Sequence, residues 1–533
     1  MVESLQFKLD IELSTEASQD LRFKLYLDWA LENGVLMSKM LYPAIFAKEG
    51  QHLMGAAAAT QIQVNEAYLY VPSKLLITVD RALNSEIGHI FEENAYFFKT
   101  TSDRDYLILL LYLIYEHGKG KKSFWYPYFN AIDPGELPCY WEDRVIFQIQ
   151  DKDLRNDLNT LKNDMETDWG IFRKLMQVYS PEYFDLDVCD ERLYRRCAAF
   201  VTTRCFGWGL PSSIVAPIAD SFNHHAVSPN SMELINKALH LKALKSQSET
   251  TVSAYTYSMD WKDYTSTKQL KPKLESAKTR YELQELYNSQ HPLAIPCPYP
   301  QPAQDLFNQD DDDDDAVSTP ELCLRNESLR RKILTSIDLS DEDLAIISSN
   351  PRLQEVYNYR DWYRENDPNN YMVFINTGDS PIEAGEQLYF SYGRRTNAYL
   401  LHNYGFACEA RENPYDSVEI RVRGEAEWEE GKSTVKELIE EDCEDEEEEG
   451  KVIRLKLGTF CHDILFYLAT VTHERDETKL RLLAKELIQE WDQVNNQKVE
   501  AFDEDELPSY QLNAVRTYNR ARRDIIQSQL SLL

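Results

Sequence analysis

At 533 residues the chain is too long for a single core and calls for roughly two to four domains. Its 57 Lys and Arg against 90 Asp and Glu leave a formal net charge of −33, which argues against a basic surface for nucleic acid and favours basic partners. Hydrophobic residues make up 43%, ample for packed cores, and the nine cysteines contain no C-x-x-C pair, so neither a zinc cluster nor a disulfide framework is indicated and a reducing compartment is expected.

The first ten residues hold two acids and no long apolar core, so they do not read as a secretory signal. Residues 21–32 read as an amphipathic helix carrying Trp29, and 69–71 and 75–79 as short strands around a Val71-Pro72 turn, which makes the opening β-rich. From Leu83 to about Cys197 the pattern turns helical. Ile108, Leu111, Ile114 and Tyr115 recur at three- and four-residue spacing, as do Leu154, Leu158 and Leu161. The most apolar stretch, 106–115, is ten residues, about half a membrane span, and reads as a buried helix; no membrane association is expected. Within this block the segment Ser123-Phe124-Trp125-Tyr126-Pro127-Tyr128-Phe129, followed by Leu137-Pro138 and Trp141, is assigned to core packing, because aromatics mostly bury area.

Two polar motifs then stand out. The apolar run 214–218 leads into Ala219-Asp220-Ser221-Phe222-Asn223-His224, and a turn at Ala384-Gly385-Glu386 feeds a β-like run that ends Ser391-Tyr392-Gly393. Between them, from about 232 to 371, organisation is lost. Five prolines from Pro292 to Pro302 precede an unbroken Asp run at 310–315; residues 289–320 are expected to be disordered, and 333–353 helical. A short helix is expected to end at Asn403-Tyr404-Gly405-Phe406, and 418–422 reads as a strand. Residues 440–449 are acidic at every position but Cys443; both acidic runs read first as solvated loop and second as attraction for a basic partner. The last helix puts Leu512, Val515, Tyr518, Ala521 and Ile525 on one face, with Arg516, Arg520, Arg522 and Arg523 elsewhere.

Taken in this order, the two motifs and the Asn403-Tyr404-Gly405-Phe406 segment resemble the two halves of the SET methyltransferase active site. The likeness is to the subgroup typified by Rubisco large-subunit methyltransferase. The S-x-W-x-P-Y segment at 123–128, the N-P-x-D-x-V segment at 413–418 and the basic terminal helix are similar to the same subgroup. The resemblance implies an α+β fold. Its β-rich SET core (20–90, then 198–231 and 372–407) is interrupted by a helical insert (91–197) and a further insertion (232–371), and a mostly helical substrate-binding-like lobe follows (408–533).

The resemblance also implies S-adenosyl-L-methionine as cofactor and protein-lysine N-methylation of a soluble, non-histone protein, with no metal. Asn223 and His224 would contact the adenine and amino acid portions of the cofactor, Asp220 would support them, and Arg204 would pair with its carboxylate. Tyr392 would place its hydroxyl beside the sulfonium methyl and orient the lysine amine. Tyr404 would wall the lysine channel, with Phe406 packed below it. Of the subgroup's G-x-G-L-x-A loop, Gly55 keeps the second glycine while Leu53 stands at the first; Met54 and Gly55 would lie along the cofactor, where glycine permits close approach. Two rival readings are methylation of a protein histidine, and a degenerate SET fold that binds a basic partner. A monomer in the cytoplasm, and secondly the nucleus, is expected.

Overall fold

The structure is a computed structural model that describes residues 7–48, 51–64, 66–99, 104–206, 213–226, 340–349, 371–376, 380–423, 434–439, 451–496 and 508–533. The segment 289–320 with its Asp run, and the acidic run 440–449, lie outside these residues.

The chain opens with β1 (Lys8–Asp10), α1 (Ile11–Gln19) and α2 (Leu21–Glu32). Asp10 and Asp20 cap the two helices by accepting the Leu13 and Arg22 amides. Helix α2 has the limits expected from its amphipathic pattern and buries Phe23, Tyr26 and Ala30 along one stripe. Strands β2 (Met40–Lys48), β3 (Gln51–Ala58) and β4 (Ala67–Pro72) follow. Where the sequence predicts a strand over 75–79, the structure has a two-residue strand β5 (Ile77–Thr78) and then α3 (Val79–Leu83). The reason is Thr78, whose hydroxyl accepts the Arg81 amide at 3.1 Å and so starts a helix at Val79.

The helical block consists of α4 (Gly88–Glu93), α5 (Ala95–Lys99), α6 (Arg104–Gly118), α7 (Tyr126–Ala131), α8 (Asp143–Ile146), α9 (Lys152–Val178) and α10 (Glu191–Arg204). Every residue of α6 from 107 to 115 is buried, so this part of the helix has no polar face. Helix α9 instead buries a single stripe, Leu154, Leu158, Met165, Phe172 and Met176. After it come β6 (Cys205–Phe206), β7 (Ile214–Val215), β8 (Asn223–His224), α11 (Asp341–Ser349), β9 (Tyr371–Ile375), β10 (Gln387–Phe390) and α12 (Asn397–Tyr404). The chain closes with β11 (Val418–Val422), β12 (Lys451–Leu455), α13 (His462–Thr472), α14 (Glu477–Asn495) and α15 (Ser509–Leu532).

Two compact units divide the chain: Met1–Gly135 with Ile171–Arg394, and Glu136–Gly170 with Arg395–Leu533. In the first, a five-stranded sheet runs in the order β1-β2-β3-β10-β8, beside a three-stranded sheet β5-β7-β6 and a β4-β9 pair. Strand β3 is antiparallel to β2 and to β10, with Gln387 opposite Ala57 and Leu388 opposite Ala56. Strand β10 in turn lies parallel to β8, with Tyr389 opposite Asn223 and Phe390 opposite His224. Residues 53–58, expected as a loop laid along a cofactor, are therefore the second half of β3. Strand β2 engages them on one side, and β10 pairs with Ala56 and Ala57 on the other.

The second unit combines helices with an antiparallel β11-β12 hairpin, registered from Val418 opposite Leu455 to Val422 opposite Lys451. Its core packs Ile420, Ile453 and Leu455 of the hairpin against Ile464, Leu487 and Ile525 of the helices. Helix α15 buries Leu512, Val515, Tyr518, Ala521 and Ile525 as expected, but it also buries Arg522, which the sequence sets off that face. Arg522 tolerates burial because Asp492 accepts its Nη1 at 2.8 Å and its guanidinium lies 4.9 Å from the Trp491 ring. Among the described residues no helix is long and apolar enough to cross a membrane.

Candidate functional site

The two sequence motifs meet in the first unit, where β10 runs between β3 and β8. Just ahead of β8 the chain makes a one-turn 3₁₀ helix, Ala219–Ser221, after which Phe222 is buried. The Phe222 ring packs edge-on against Phe374 at 5.3 Å and Tyr68 at 5.8 Å. Past β10, Tyr392 folds back over this segment. Its backbone amide donates to His224 Nδ1 at 2.9 Å, its hydroxyl donates to the Phe222 carbonyl at 3.0 Å, and the two rings lie 5.1 Å apart.

Burial sets the charge state of both groups. It pushes the Tyr392 phenol up to about 12, so the hydroxyl keeps its proton at neutral pH and serves as a hydrogen-bond donor rather than a base. Burial, with the neighbouring His225, brings His224 down to about 3. A neutral imidazole that accepts at Nδ1 carries its proton on Nε2, a tautomer assigned from the Tyr392 bond.

Asp220 and Arg204, which the resemblance directs to the cofactor, bond to each other. Arg204 Nη1 donates to the Asp220 carboxylate at 3.1 Å and to its carbonyl at 3.0 Å, and Tyr128 donates to the same carboxylate oxygen at 2.6 Å. The physical reason is burial: a carboxylate with a side chain 1% exposed needs a cation and donors close by. Burial raises the Asp220 carboxyl, and Arg204 and Tyr128 work against that. Burial also opposes the charge of Arg204, but the Asp220 carboxylate outweighs it, so the guanidinium is held firmly cationic. What the pair does here is hold the 219–221 turn.

Asn223 Nδ2 donates to the Met54 carbonyl at 3.0 Å, so Met54 enters the site through its backbone while its side chain is exposed. The glycine at 55 is required by that contact. A Cβ there would stand 2.6 Å from Asn223 Nδ2 and 2.9 Å from Gln387 Nε2. Thus Met54, Gly55, Asn223, His224 and Tyr392 come together, with Asp220 and Arg204 on the adjoining turn. Tyr404 and Phe406 belong to the second unit, at the end of α12, with rings 6.1 Å apart and Gly405 between them in the left-handed conformation at φ 74°.

Two residues of this neighbourhood escape sequence reasoning. Tyr128 sits in the aromatic segment assigned to packing, and its hydroxyl turns out to serve Asp220. Tyr26 is one apolar position among several on α2, and nothing in its spacing marks the hydrogen bond its hydroxyl accepts from the Ile218 amide at 2.6 Å.

No protein-family model matches the chain. Its sequence is similar to actin-histidine N-methyltransferases. It is 26% identical to that of Gallus gallus over 166 residues, 31% of this chain and 26% of the relative. It is 25% identical to that of Otolemur garnettii over 182 residues, 34% of this chain and 29% of the relative. Against the Homo sapiens protein it is 27% identical over 155 residues, 29% of this chain and 24% of the relative. The matched region thus takes in about a quarter of these relatives' length. Among solved structures, the SET domain of LSMT bound to lysine and AdoHcy aligns with 97% of this chain and 91% of its own, at a TM-score of 0.51 and 14% identity. The α+β arrangement of split sheets and helical segments is therefore the SET-domain fold, in the form found in Rubisco LSMT.

Proposed function

We propose that this chain is an S-adenosylmethionine-dependent protein N-methyltransferase whose reaction site is formed by Tyr392, His224 and Asn223. The observation that carries this reading is the partly buried, protonated phenol of Tyr392, its ring tilted against a neutral His224 at 5.1 Å, beside the Asn223–Gly55 contact, within a SET fold. The AdoHcy bound to LSMT is what S-adenosylmethionine becomes on losing its methyl group. The residues fit such a group at the Met54–Gly55 edge of β3. There the missing Cβ of Gly55 lets the Asn223 and Gln387 side chains close on the backbone, and Asn223 is itself partly exposed beside an exposed Met54 side chain. Arg204 retains an Nε with no hydrogen-bond partner among the described residues.

When bound, S-adenosylmethionine supplies an electrophilic methyl on a sulfonium. Tyr392 contributes a fixed hydroxyl dipole rather than a base, since its phenol stays protonated. His224 fixes the position of Tyr392 through the backbone bond. The site's contribution to rate is then orientation and electrostatic preorganisation. The acceptor nitrogen must first give up a proton to solvent, because only the neutral nitrogen has the lone pair that would take the methyl, the carbon–sulfur electron pair staying on the sulfur.

For the acceptor, lysine on a basic, non-histone protein is the first reading. It is supported by the Tyr392 and Tyr404 motifs, by the lysine bound to LSMT and by the net charge of −33. Histidine is the second, favoured by the actin-histidine relatives. The test is transfer of labelled methyl from S-adenosylmethionine to an extract, followed by acid hydrolysis and separation of methyl-lysine from methyl-histidine. Transfer to lysine by the parent, lost in Tyr392→Phe, is the expected result. Label in histidine decides for the second reading, and a parent that neither transfers methyl nor binds S-adenosylhomocysteine leaves a SET-fold binding module for a basic partner.

A further inference from the structure

The turn that places Phe222 and His224 under Tyr392 starts at a residue in an unfavourable conformation. Ile218 has φ 73° and ψ −49°, a region that β-branched residues avoid because Cβ crowds the backbone. Its side chain is fully buried, so solvent does nothing to favour this geometry. Its carbonyl accepts locally from the Ser221 hydroxyl at 2.5 Å, and its amide is held from α2, 192 residues earlier, by donating to the Tyr26 hydroxyl at 2.6 Å. Tyr26 is itself locked. It is completely buried, its ring stacks 6.0 Å from Trp29, and it packs 5.6 Å from Tyr128 and 6.4 Å from Tyr42.

Downstream of Ile218 the geometry is determined step by step. The Ile218 carbonyl accepts the Ser221 amide at 3.1 Å, and the Asp220 amide donates to the Ala216 carbonyl at 3.0 Å. The next residue, Phe222, offers the carbonyl on which the Tyr392 hydroxyl rests at 3.0 Å. A relaxation of φ at Ile218 to negative values would swing this carbonyl away and shift β8 against β10. Tyr128 secures the other end of the turn through the Asp220 carboxylate. That bond serves a buried charge, whereas the bond from Tyr26 opposes backbone strain.

We propose that Tyr26 is a positioning residue for the reaction at Tyr392, acting by holding Ile218 in its strained conformation. The inference rests on the reading of Tyr392 and His224 as the reaction site. In its support stand the strained φ, the buried Ile218 amide with Tyr26 as its acceptor, and the continuous path from Ile218 through Phe222 to the Tyr392 hydroxyl.

Hydrogen exchange by mass spectrometry on the full chain tests it, with Tyr26→Phe as the variant. Tyr42→Phe, which removes the hydroxyl of a neighbouring buried tyrosine, is the control. In the parent the Ile218 amide is expected among the slowly exchanging ones. In Tyr26→Phe the segments 214–224 and 387–393 are expected to exchange roughly five- to tenfold faster, and S-adenosylhomocysteine to bind more weakly by the same factor, while Tyr42→Phe changes neither. The proposal is overturned if the Ile218 amide of the parent exchanges as fast as exposed backbone, or if the two variants behave alike. It is also overturned if exchange in those two segments does not respond to Tyr26→Phe. A parent that fails to bind S-adenosylhomocysteine defeats the methyltransferase reading, and the exchange measurements still decide the role of Tyr26.

Discussion

The backbone amide of Tyr392 is hydrogen-bonded to the imidazole Nδ1 of His224 at 2.9 Å, across 168 residues of sequence. This bond joins the two motifs and separates their roles. His224 anchors, through a ring atom, the backbone that carries Tyr392, while the Tyr392 hydroxyl donates to the Phe222 carbonyl.

Tyr392→Phe keeps the backbone bond and the ring contact and deletes only the hydroxyl. Turnover is expected to fall about a hundredfold or more, with S-adenosylhomocysteine affinity within about threefold of the parent, since the hydroxyl is assigned to the transition state. His224→Ala should do the reverse in emphasis, weakening that affinity by roughly tenfold because the Tyr392 amide loses its acceptor. Calorimetric titration alongside the methyl-transfer assay separates the two, and full turnover by Tyr392→Phe would remove that residue from the mechanism.

Gly55→Ala places a methyl 2.6 Å from Asn223 Nδ2 and 2.9 Å from Gln387 Nε2. Asn223 must leave the Met54 carbonyl, and overpacking of this kind costs about 1–3 kcal/mol. Urea unfolding is expected to show that loss together with weaker S-adenosylhomocysteine binding. Unchanged binding would mean that the Asn223–Met54 contact is no part of the cofactor site.

Stability should fall on mild acidification. Burial lowers His224 to about 3 and, with Arg196, lowers His117 to about 4, both from an ordinary value of 6.5. The unfolded chain therefore takes up protons that the folded chain refuses. The contribution of each histidine is complete above 6.5 and is lost as the pH falls toward its folded value, at up to about 1.4 kcal/mol per pH unit per group. Asp416 runs the other way: burial raises it from 3.8 to about 6, so its contribution is present below 3.8 and lost as pH rises through about 6. The difference between parent and His117→Phe isolates one histidine, the new ring taking over the stack on Phe129. The parent is expected to lose more stability than the variant between pH 6.5 and 4; parallel curves would contradict a neutral His117.

Gly405→Ala probes the second unit. At φ 74° an alanine is strained, and its Cβ would lie 3.0 Å from Trp141 Cζ2. A loss of about 1–2 kcal/mol in urea unfolding is expected from the left-handed backbone alone. A variant as stable as the parent would show that the end of α12, with Tyr404, tolerates a different termination.

Where the determining physics is local, the sequence is sufficient. The limits of α2, the apolar character of α6, the strand β11 and the buried stripe of α15 follow from side-chain periodicity and capping within each segment. The identities of the two motifs are local as well, and with them the likeness to SET methyltransferases. Which segments lie beside one another is a different matter, because a hydrogen bond between residues 192 or 168 positions apart leaves no periodic trace. Tertiary pairing decides that residues 53–58 form a strand, since β2 and β10 flank them. It also decides that Arg204 is engaged by Asp220, that Arg522 is buried beside Asp492, and that Tyr26 supports the turn before β8. In each case a buried polar group or backbone edge must be satisfied by whatever the fold brings next to it, and the fold alone supplies that neighbour.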